Sequence, residues 1–165
     1  MPVQIIKKSE KEWRSILGKV LSNEGVNRRV FEHKFCPGLV VKKARKKCSY
    51  ISNIMEFETW NLAKANGLSE WLAECVEISD SGRYLIQVRG EEIVEEEMLL
   101  SNLIPSWLNW DLENRLQWVK INGRVVVCDY GHNQATELKA ELSRSSEVSL
   151  TNNGSFEVLF DEIKK

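Results

Sequence analysis

The chain has 165 residues, 42% hydrophobic and 28% charged, which is typical of one compact domain with a sizeable core. Its formal net charge of -1 provides no overall electrostatic attraction to nucleic acid or to a membrane surface. The four cysteines are scattered without a Cys-x-x-Cys pair and the two histidines stand alone, so a zinc site or a disulfide framework is not expected.

The N-terminal segment carries no apolar run of the signal-peptide kind, and no stretch reaches the roughly 18 apolar residues that span a bilayer. We therefore expect a cytoplasmic protein with reduced thiols and no membrane contact. From Ser9, a predicted N-cap, apolar residues recur at helical spacing through Trp13 to Leu21. Gly18 weakens this helix, and the alternative is that the segment ends as a strand near Val20.

The next stretch predicts a β-meander. Strands at Val30-Phe31 and Leu39-Val40-Val41 are separated by the turn Cys36-Pro37-Gly38. The second strand runs into a basic segment with five cations in six positions, Lys42-Lys43-Ala44-Arg45-Lys46-Lys47. This segment is either a solvated strand end or a contact for phosphate or nucleic acid.

A helix is predicted from residue 52 to residue 66, with Ser52 or Asn53 as its cap and Asn66-Gly67 as its stop. At about 100° per residue, Glu58 falls at the centre of the apolar face and Glu56 on the other side. The apolar side chains of that face are Ile51, Ile54, Met55, Leu62 and Ala65. A buried carboxylate needs a cation, and Lys42 is the expected partner. Alternatively, Glu58 reaches water at the helix edge.

Two further strands are predicted at residues 75–78 and 84–88, joined as a hairpin and ended by Arg89-Gly90. The acidic residues between 91 and 97 indicate a short helix with a solvated acidic side. Three later tryptophans, Trp107, Trp110 and Trp118, are predicted core or interface anchors. Residues 136–142 favour a helix, and residues 143–165 a weakly ordered or docking tail.

The segment from Arg124 to Gly131 runs from three valines into Asp129-Tyr130-Gly131. The valines predict a buried strand, and the glycines at 123 and 131 punctuate its ends. A carboxylate at a strand end can serve as an oxygen ligand for magnesium and phosphate. The simpler interpretation is a hairpin strand that ends in an Asx-turn.

In this order, the elements resemble the N-lobe and nucleotide cleft of the protein-kinase superfamily. Val40-Val41-Lys42 resembles the Val-Ala-Ile-Lys strand, and Asp129-Tyr130-Gly131 resembles the Asp-Phe-Gly turn. Glu58, or less well Glu56, resembles the acid of the C helix, and Gln87 to Gly90 resembles the hinge. The amino-acid sequences of several segments look like those of the short kinase-like proteins of bacteriophages and prophages. These segments are Val30-Phe31-Glu32-His33, Leu85-Ile86-Gln87, Pro105-Ser106-Trp107-Leu108 and Cys128-Asp129-Tyr130-Gly131.

The resemblance covers roughly residues 18–132 and implies an α+β fold. A protein-kinase N-lobe-like antiparallel sheet with a C helix, at about residues 18–88, would precede a much reduced helical C-lobe at about 91–142. Residues 1–142 would form this single domain, followed by the tail at 143–165. The resemblance also implies an ATP site, with magnesium on Asp129. Its residues would be Lys42, Glu58, Gln87, Val88 and Asp129.

The chain departs from the kinase pattern at the catalytic loop. Counting along the chain puts Trp110 and Arg115 where the catalytic Asp and Asn belong. Asp111 and Asn114 lie close by, as candidate base and second metal ligand, but only three positions apart. Gly25 stands alone where a glycine-rich loop would cover the phosphates.

Three functions follow as hypotheses. The first is a pseudokinase-like factor, encoded by a phage or prophage, that docks on a host or viral protein in the host cytoplasm with little or no phosphoryl transfer. The second is a small ATP- and magnesium-dependent phosphotransferase that uses Lys42, Asp111 and Asp129. The third is a nucleic-acid binder or mimic, which the near-zero net charge disfavours.

Overall fold

The computed structural model describes residues 7–23, 25–94, 105–108, 117–131 and 134–144. Within these ranges, the fold is α+β, with a five-stranded antiparallel sheet, a separate two-stranded hairpin and helices on both faces of the sheet. The helices are α1 (Glu10–Ser15), α2 (Tyr50–Ala65) and α3 (134–144). The strands are β1 (Leu17–Ser22), β2 (Arg28–His33), β3 (Leu39–Ala44), β4 (Cys75–Ile78), β5 (Tyr84–Val88), β6 (Trp118–Ile121) and β7 (Arg124–Val127).

The first helix is shorter than the apolar spacing suggested. Ser9 caps it as predicted, in a capping box with Glu12, but α1 stops at Ser15 and Leu17 begins β1. The strand alternative is therefore confirmed. Gly18 lies so close to the backbone of Glu32 that a side chain would collide with it, because β1 pairs tightly with β2.

The central sheet has the order β1-β2-β3-β5-β4, with every neighbouring pair antiparallel. The predicted meander and the later hairpin are both confirmed. Because successive residues of a strand face opposite sides, β3 and β5 each supply side chains to two layers. On one face of the sheet, Trp13 and Ile16 pack against the strand residues Val41, Tyr84 and Ile86. We call this the outer face.

Helix α2 covers the opposite, inner face. It begins at Tyr50, after a 3-10 turn at Lys47–Ser49, so the predicted caps Ser52 and Asn53 lie inside the helix. Its end agrees with the prediction, since Asn66 is the C-cap and Gly67 has φ +70. The core on this side contains Trp60, Leu85 and residues of the later segments, including Trp107 and Trp118. Trp110 lies outside the described residues.

The β6–β7 hairpin brings the C-terminal part of the chain against the sheet. Its two-residue turn has positive φ at both Asn122 and Gly123, as a type I′ hairpin requires. The Ala73 N–H donates to the Val127 carbonyl at 2.8 Å, and Glu91 exchanges two backbone hydrogen bonds with Lys120. The predicted strand at 124–127 is thus one arm of a hairpin, buried at Val126 and Val127 but exposed at Arg124.

Other predictions fall wholly or partly outside the described ranges. Of the acidic segment, residues 95–97 are outside, and Glu91 forms an isolated bridge. The helix predicted at 136–142 is present within α3. The predicted tail is described only at residues 143 and 144, which are still helical. Among the described helices, none combines the length and the apolar character that crossing a bilayer requires. Of the four free cysteines, Cys36 and Cys48 are exposed.

Candidate functional site

A buried ion pair joins the sheet to helix α2. Lys42, on β3, donates from Nζ to Glu56 Oε1 at 2.5 Å, and the two residues are 5% and 0% exposed. Glu56 lies one turn after Asn53 and one turn before Trp60, which are also buried. The predicted buried salt bridge of Lys42 is therefore present, but its acidic partner is Glu56 and not Glu58.

The prediction that Glu58 points inward is wrong. Glu58 is exposed, and so is Ile51, which was predicted to share its face. The apolar pattern misled because the face of α2 that packs on the sheet is largely polar. Its buried side chains are Asn53, Glu56, Thr59, Trp60 and Ala63. Two positions along a helix correspond to about 200°, so when Glu56 faces inward Glu58 faces water.

Arg28 is the residue that the sequence interpretation missed. It opens β2 and points to the same side of the sheet as Lys42, because Val30 pairs with Lys42 and lies two positions along the strand. Its Nη1 donates to Glu56 Oε2 at 2.7 Å and to Asn53 Oδ1 at 3.2 Å. The side chains of β2 alternate between the two faces of the sheet, and this alternation places Arg28 on the inner face only once the register of β2 with β3 is known.

Asp129 joins the same cluster from the end of β7. Its carboxylate accepts from Arg28 Nη2, and the adjacent Cys128 carbonyl accepts from Lys42 Nζ. The Asp129 side chain is 43% exposed, whereas that of Arg28 is only 10% exposed. Lys42 and Asp129 therefore meet in one cluster as predicted, but the predicted third member, Glu58, is not part of it, and Glu56 is the helix acid instead. We call Arg28, Lys42, Glu56 and Asp129 the charged network.

Gly131 holds this segment against helix α2 by close approach. A Cβ on Gly131 would overlap the Ser52 carbonyl oxygen and lie 3.3 Å from Glu56 Oε2. Its φ is not among the positive values of the described glycines, so close packing, rather than a sharp turn, requires glycine here. Tyr130 is fully buried and donates to the Ala73 carbonyl at 2.5 Å. Asp129-Tyr130-Gly131 is thus anchored on both sides.

Gln87 and Val88, the predicted hinge residues, lie at the edge of the network. The Gln87 Nε2 donates to Glu56 Oε1 at 2.9 Å, so this side chain supports the buried acid directly. The Val88 N–H donates to the Glu74 carbonyl at 2.9 Å. Both residues are therefore engaged within the fold, and their role toward a nucleotide stays a prediction.

The charged network contains two cations and two carboxylates, so its formal charge is zero. Burial opposes the charge of Arg28, but the nearby carboxylates of Glu56 and Asp129 outweigh it and raise the Arg28 pKa above its ordinary value. Burial also raises the pKa of the Cys128 thiol to about 11, although Lys42 opposes this shift. The thiol beside the network is consequently protonated at neutral pH.

The proposed catalytic residues Asp111 and Asn114 lie outside the described residues. Among those that are described, no group of three or more His, Cys, Asp or Glu could hold a metal ion. A magnesium ion bound at the Asp129 carboxylate would share that carboxylate with Arg28 or displace the guanidinium. The residues at this site therefore fit an internal salt bridge better than a magnesium–phosphate pair.

The basic segment at 42–47 does not form one patch. Lys42 is buried in the network, and Lys43 faces the opposite, outer side of the sheet. Arg45 donates to the carbonyl groups of Asn23 and Gly25 and so fixes the β1–β2 connection. Of the six positions, Lys46 and Lys47 are left at the surface beyond the strand.

Comparison with known proteins adds no family: no protein-family model and no curated protein matches the chain. The kinase-like resemblance therefore stays a prediction, together with the ATP and magnesium that it implies. The structure establishes the coarser statement, an α+β fold with a five-stranded antiparallel sheet and a helix packed on its inner face.

Proposed function

We propose that this protein is a kinase-like binding factor that acts by docking on another protein, with little or no phosphoryl transfer. One observation carries the proposal: among the described residues, Lys42 and Asp129, the charged groups that would meet a nucleotide in this cluster, are both bound to other groups of the chain. Lys42 is held by Glu56 and the Cys128 carbonyl, and Asp129 is held by Arg28. The network is complete without a ligand.

The energetic argument concerns Asp129: magnesium there would need the Arg28–Asp129 pair to open, whereas an active kinase keeps the ion pair that Lys42 makes with its helix acid. Breaking a buried ion pair by removing one partner typically costs about 3–5 kcal/mol. Arg28, which is buried, would then keep only the Glu56 carboxylate, and Glu56 also accepts from Lys42 and Gln87. Binding energy from a nucleotide would be used to rearrange the protein, so weak or no nucleotide affinity is expected.

The surface supports a docking role. Among the described residues, Val26 is 87% exposed in the β1–β2 connection and Phe35 is 65% exposed in the β2–β3 turn. The Phe35 ring lies 5.5 Å from Lys34 Nζ and packs edge-on against His33. An exposed aromatic ring flanked by a cation is the kind of side chain that anchors protein interfaces. The proposed partner is a host or viral protein, as expected for a factor of phage or prophage origin.

The test measures both activities on the same three proteins: wild type, Asp129→Asn and Phe35→Ser. We expect no ATP turnover and no magnesium-dependent thermal shift for any of them. In affinity capture from a bacterial lysate followed by mass spectrometry, wild type and Asp129→Asn should retain one common protein that Phe35→Ser loses. Direct titration of that purified protein should then give a weaker Kd for Phe35→Ser alone. ATP turnover by wild type that disappears in Asp129→Asn would overturn the proposal.

The phosphotransferase remains the second candidate because of one specific observation. Lys42 and Asp129, 87 positions apart, meet the same Arg28–Glu56 pair. If magnesium-ATP at 100 times its Kd raises the free energy of unfolding by about 2.7 kcal/mol, this candidate is favoured. Substitution of Asp111 and Asn114 would then test whether they act as base and metal ligand.

A further inference from the structure

A second charged cluster lies on the outer face of the sheet, away from the charged network. Arg29 of β2 pairs with Lys43 of β3, and Lys43 pairs with Tyr84 of β5, so these three side chains are neighbours on one face. Tyr84 stacks on Trp13 of α1, with ring centroids 5.6 Å apart, which brings the last turn of that helix to the same place. Arg14 and Arg83 complete the group.

The carboxylate of Glu10 contacts two of these four cations. Glu10 Oε1 accepts from Arg83 Nη1 at 2.5 Å, from the Tyr84 hydroxyl at 2.8 Å and from Arg14 Nε at 3.3 Å. Arg29 and Lys43 have no ion pair within the described ranges. The formal charge of Arg14, Arg29, Lys43 and Arg83 with Glu10 is therefore +3, and we call these five residues with Tyr84 the outer-face cluster.

Two further observations indicate that the cations are incompletely satisfied. Arg83 Nε is buried, and no acceptor reaches it from the part of the chain that is described. Burial, followed by the guanidinium groups of Arg83, Arg14 and Arg29, lowers the pKa of Lys43 below its ordinary value. Like charges held this closely repel one another, and a bound anion would relieve that repulsion.

The two lysines before α1 add no net charge beside the cluster. Lys7 pairs with Asp80 at 3.0 Å, and Lys8 pairs with Glu77. A nucleic-acid groove follows a backbone over many phosphates and needs an extended track of cations. A compact group of guanidinium and ammonium donors suits a single phosphate, whose oxygens accept bidentate hydrogen bonds from arginine.

We propose that the outer-face cluster binds a single phosphate group in its dianionic form. The same chemistry is found in a phosphorylated side chain of a partner protein and in free phosphate, and the two sources can be distinguished by affinity. This site is independent of the charged network and holds whether or not the protein binds a nucleotide.

The test is an NMR titration of the ¹⁵N-labelled protein with inorganic phosphate, a phosphoserine peptide and the same peptide without phosphate. We expect saturable shifts of the amides of residues 29, 43, 83 and 84. A phosphorylated partner as the source predicts a Kd for the phosphopeptide at least tenfold below that for inorganic phosphate, and free phosphate as the source predicts similar values. The double variant R29A/K43A should weaken binding at least tenfold. Its matched control, K46A/K47A, removes the same charge from exposed positions beyond the end of β3 and should change the Kd less than twofold.

A variant with the opposite expected effect guards against general damage to the fold. Glu10→Gln removes the acid that competes for the cations while keeping a hydrogen-bond acceptor, so it should bind phosphate several-fold more tightly. Shifts that do not saturate, equal losses in the two double variants, unchanged or weaker binding by Glu10→Gln, or tighter binding of a single-stranded DNA oligonucleotide than of the phosphopeptide would each overturn the proposal.

Discussion

Replacing Glu56 by glutamine tests the charged network directly. The substitution keeps the shape of the side chain and removes the negative charge that faces Lys42 Nζ at 2.5 Å and Arg28 Nη1 at 2.7 Å. Because Glu56 is fully buried, water cannot replace that charge, and loss of one partner from a buried pair costs about 3–5 kcal/mol. With an m-value of about 2 kcal/mol/M, the urea midpoint should fall by about 1.5–2.5 M.

Tryptophan fluorescence follows this unfolding, since the side chains of Trp13, Trp60, Trp107 and Trp118 are buried in the fold. The matched control is Glu58→Gln, the same chemical change two positions along α2 on its exposed side. We expect the control to change the free energy of unfolding by less than about 0.5 kcal/mol. Equal midpoints for the two variants, or a loss below about 1 kcal/mol for Glu56→Gln, would show that the network does not stabilise the fold as reasoned.

Further predictions concern the packing, thiols and pH dependence. Gly131→Ala should lower the free energy of unfolding by about 1–3 kcal/mol because its Cβ meets helix backbone, whereas Gly38→Ala, with no atom within 4 Å, should be neutral; equal urea midpoints would contradict this. Burial raises the pKa of Cys75 to about 12 and that of Cys128 to about 11, so at pH 8 Ellman's reagent should titrate the two exposed thiols at least about 100-fold faster than these. Burial raises the pKa of Glu10, but its hydrogen bonds and cationic neighbours outweigh burial and bring the pKa below its ordinary 4.5. The ionised Glu10 therefore stabilises the fold above pH 4.5, and this contribution is lost as the pH falls through the lowered pKa. The free energy of unfolding of the wild type should therefore fall more steeply than that of Glu10→Gln below about pH 4.5, and parallel slopes would refute the assignment.

The sheet and helix α2 were predictable because their signals are local. The apolar runs at β3, β4 and β5 indicate strands without reference to other parts of the chain. Pro37-Gly38 precedes β3, and the turn at Asp80-Ser81-Gly82 separates β4 from β5. Asn66-Gly67 likewise gave the end of α2. The extent of α1 was not fixed locally, because the same apolar residues suit a helix or a strand and pairing with β2 decided the outcome.

The site was harder to predict because it depends on contacts between distant segments. The helical-wheel projection of α2 predicted that Glu58 faces inward, because it took the apolar side as the buried side. The inner face instead carries the polar residues Asn53, Glu56 and Thr59. Arg28 could be recognised only from the register of β2, which no local pattern specifies. Asp129 was predicted as a strand-end acid and Lys42 as the partner of a buried helix acid, and their meeting in one cluster was the part of the hypothesis that the geometry bears out.

The order in which the network is assembled during synthesis follows from its spacing along the chain. Arg28, Lys42 and Glu56 lie within 29 positions and can pair as soon as α2 docks, whereas Asp129 arrives 73 residues after Glu56. At about 5–20 residues per second, Asp129 is added to the chain several seconds after Glu56. A sheet that formed in that interval would hold Arg28 with Glu56 alone, and the network would be completed when the Asp129 segment leaves the ribosome.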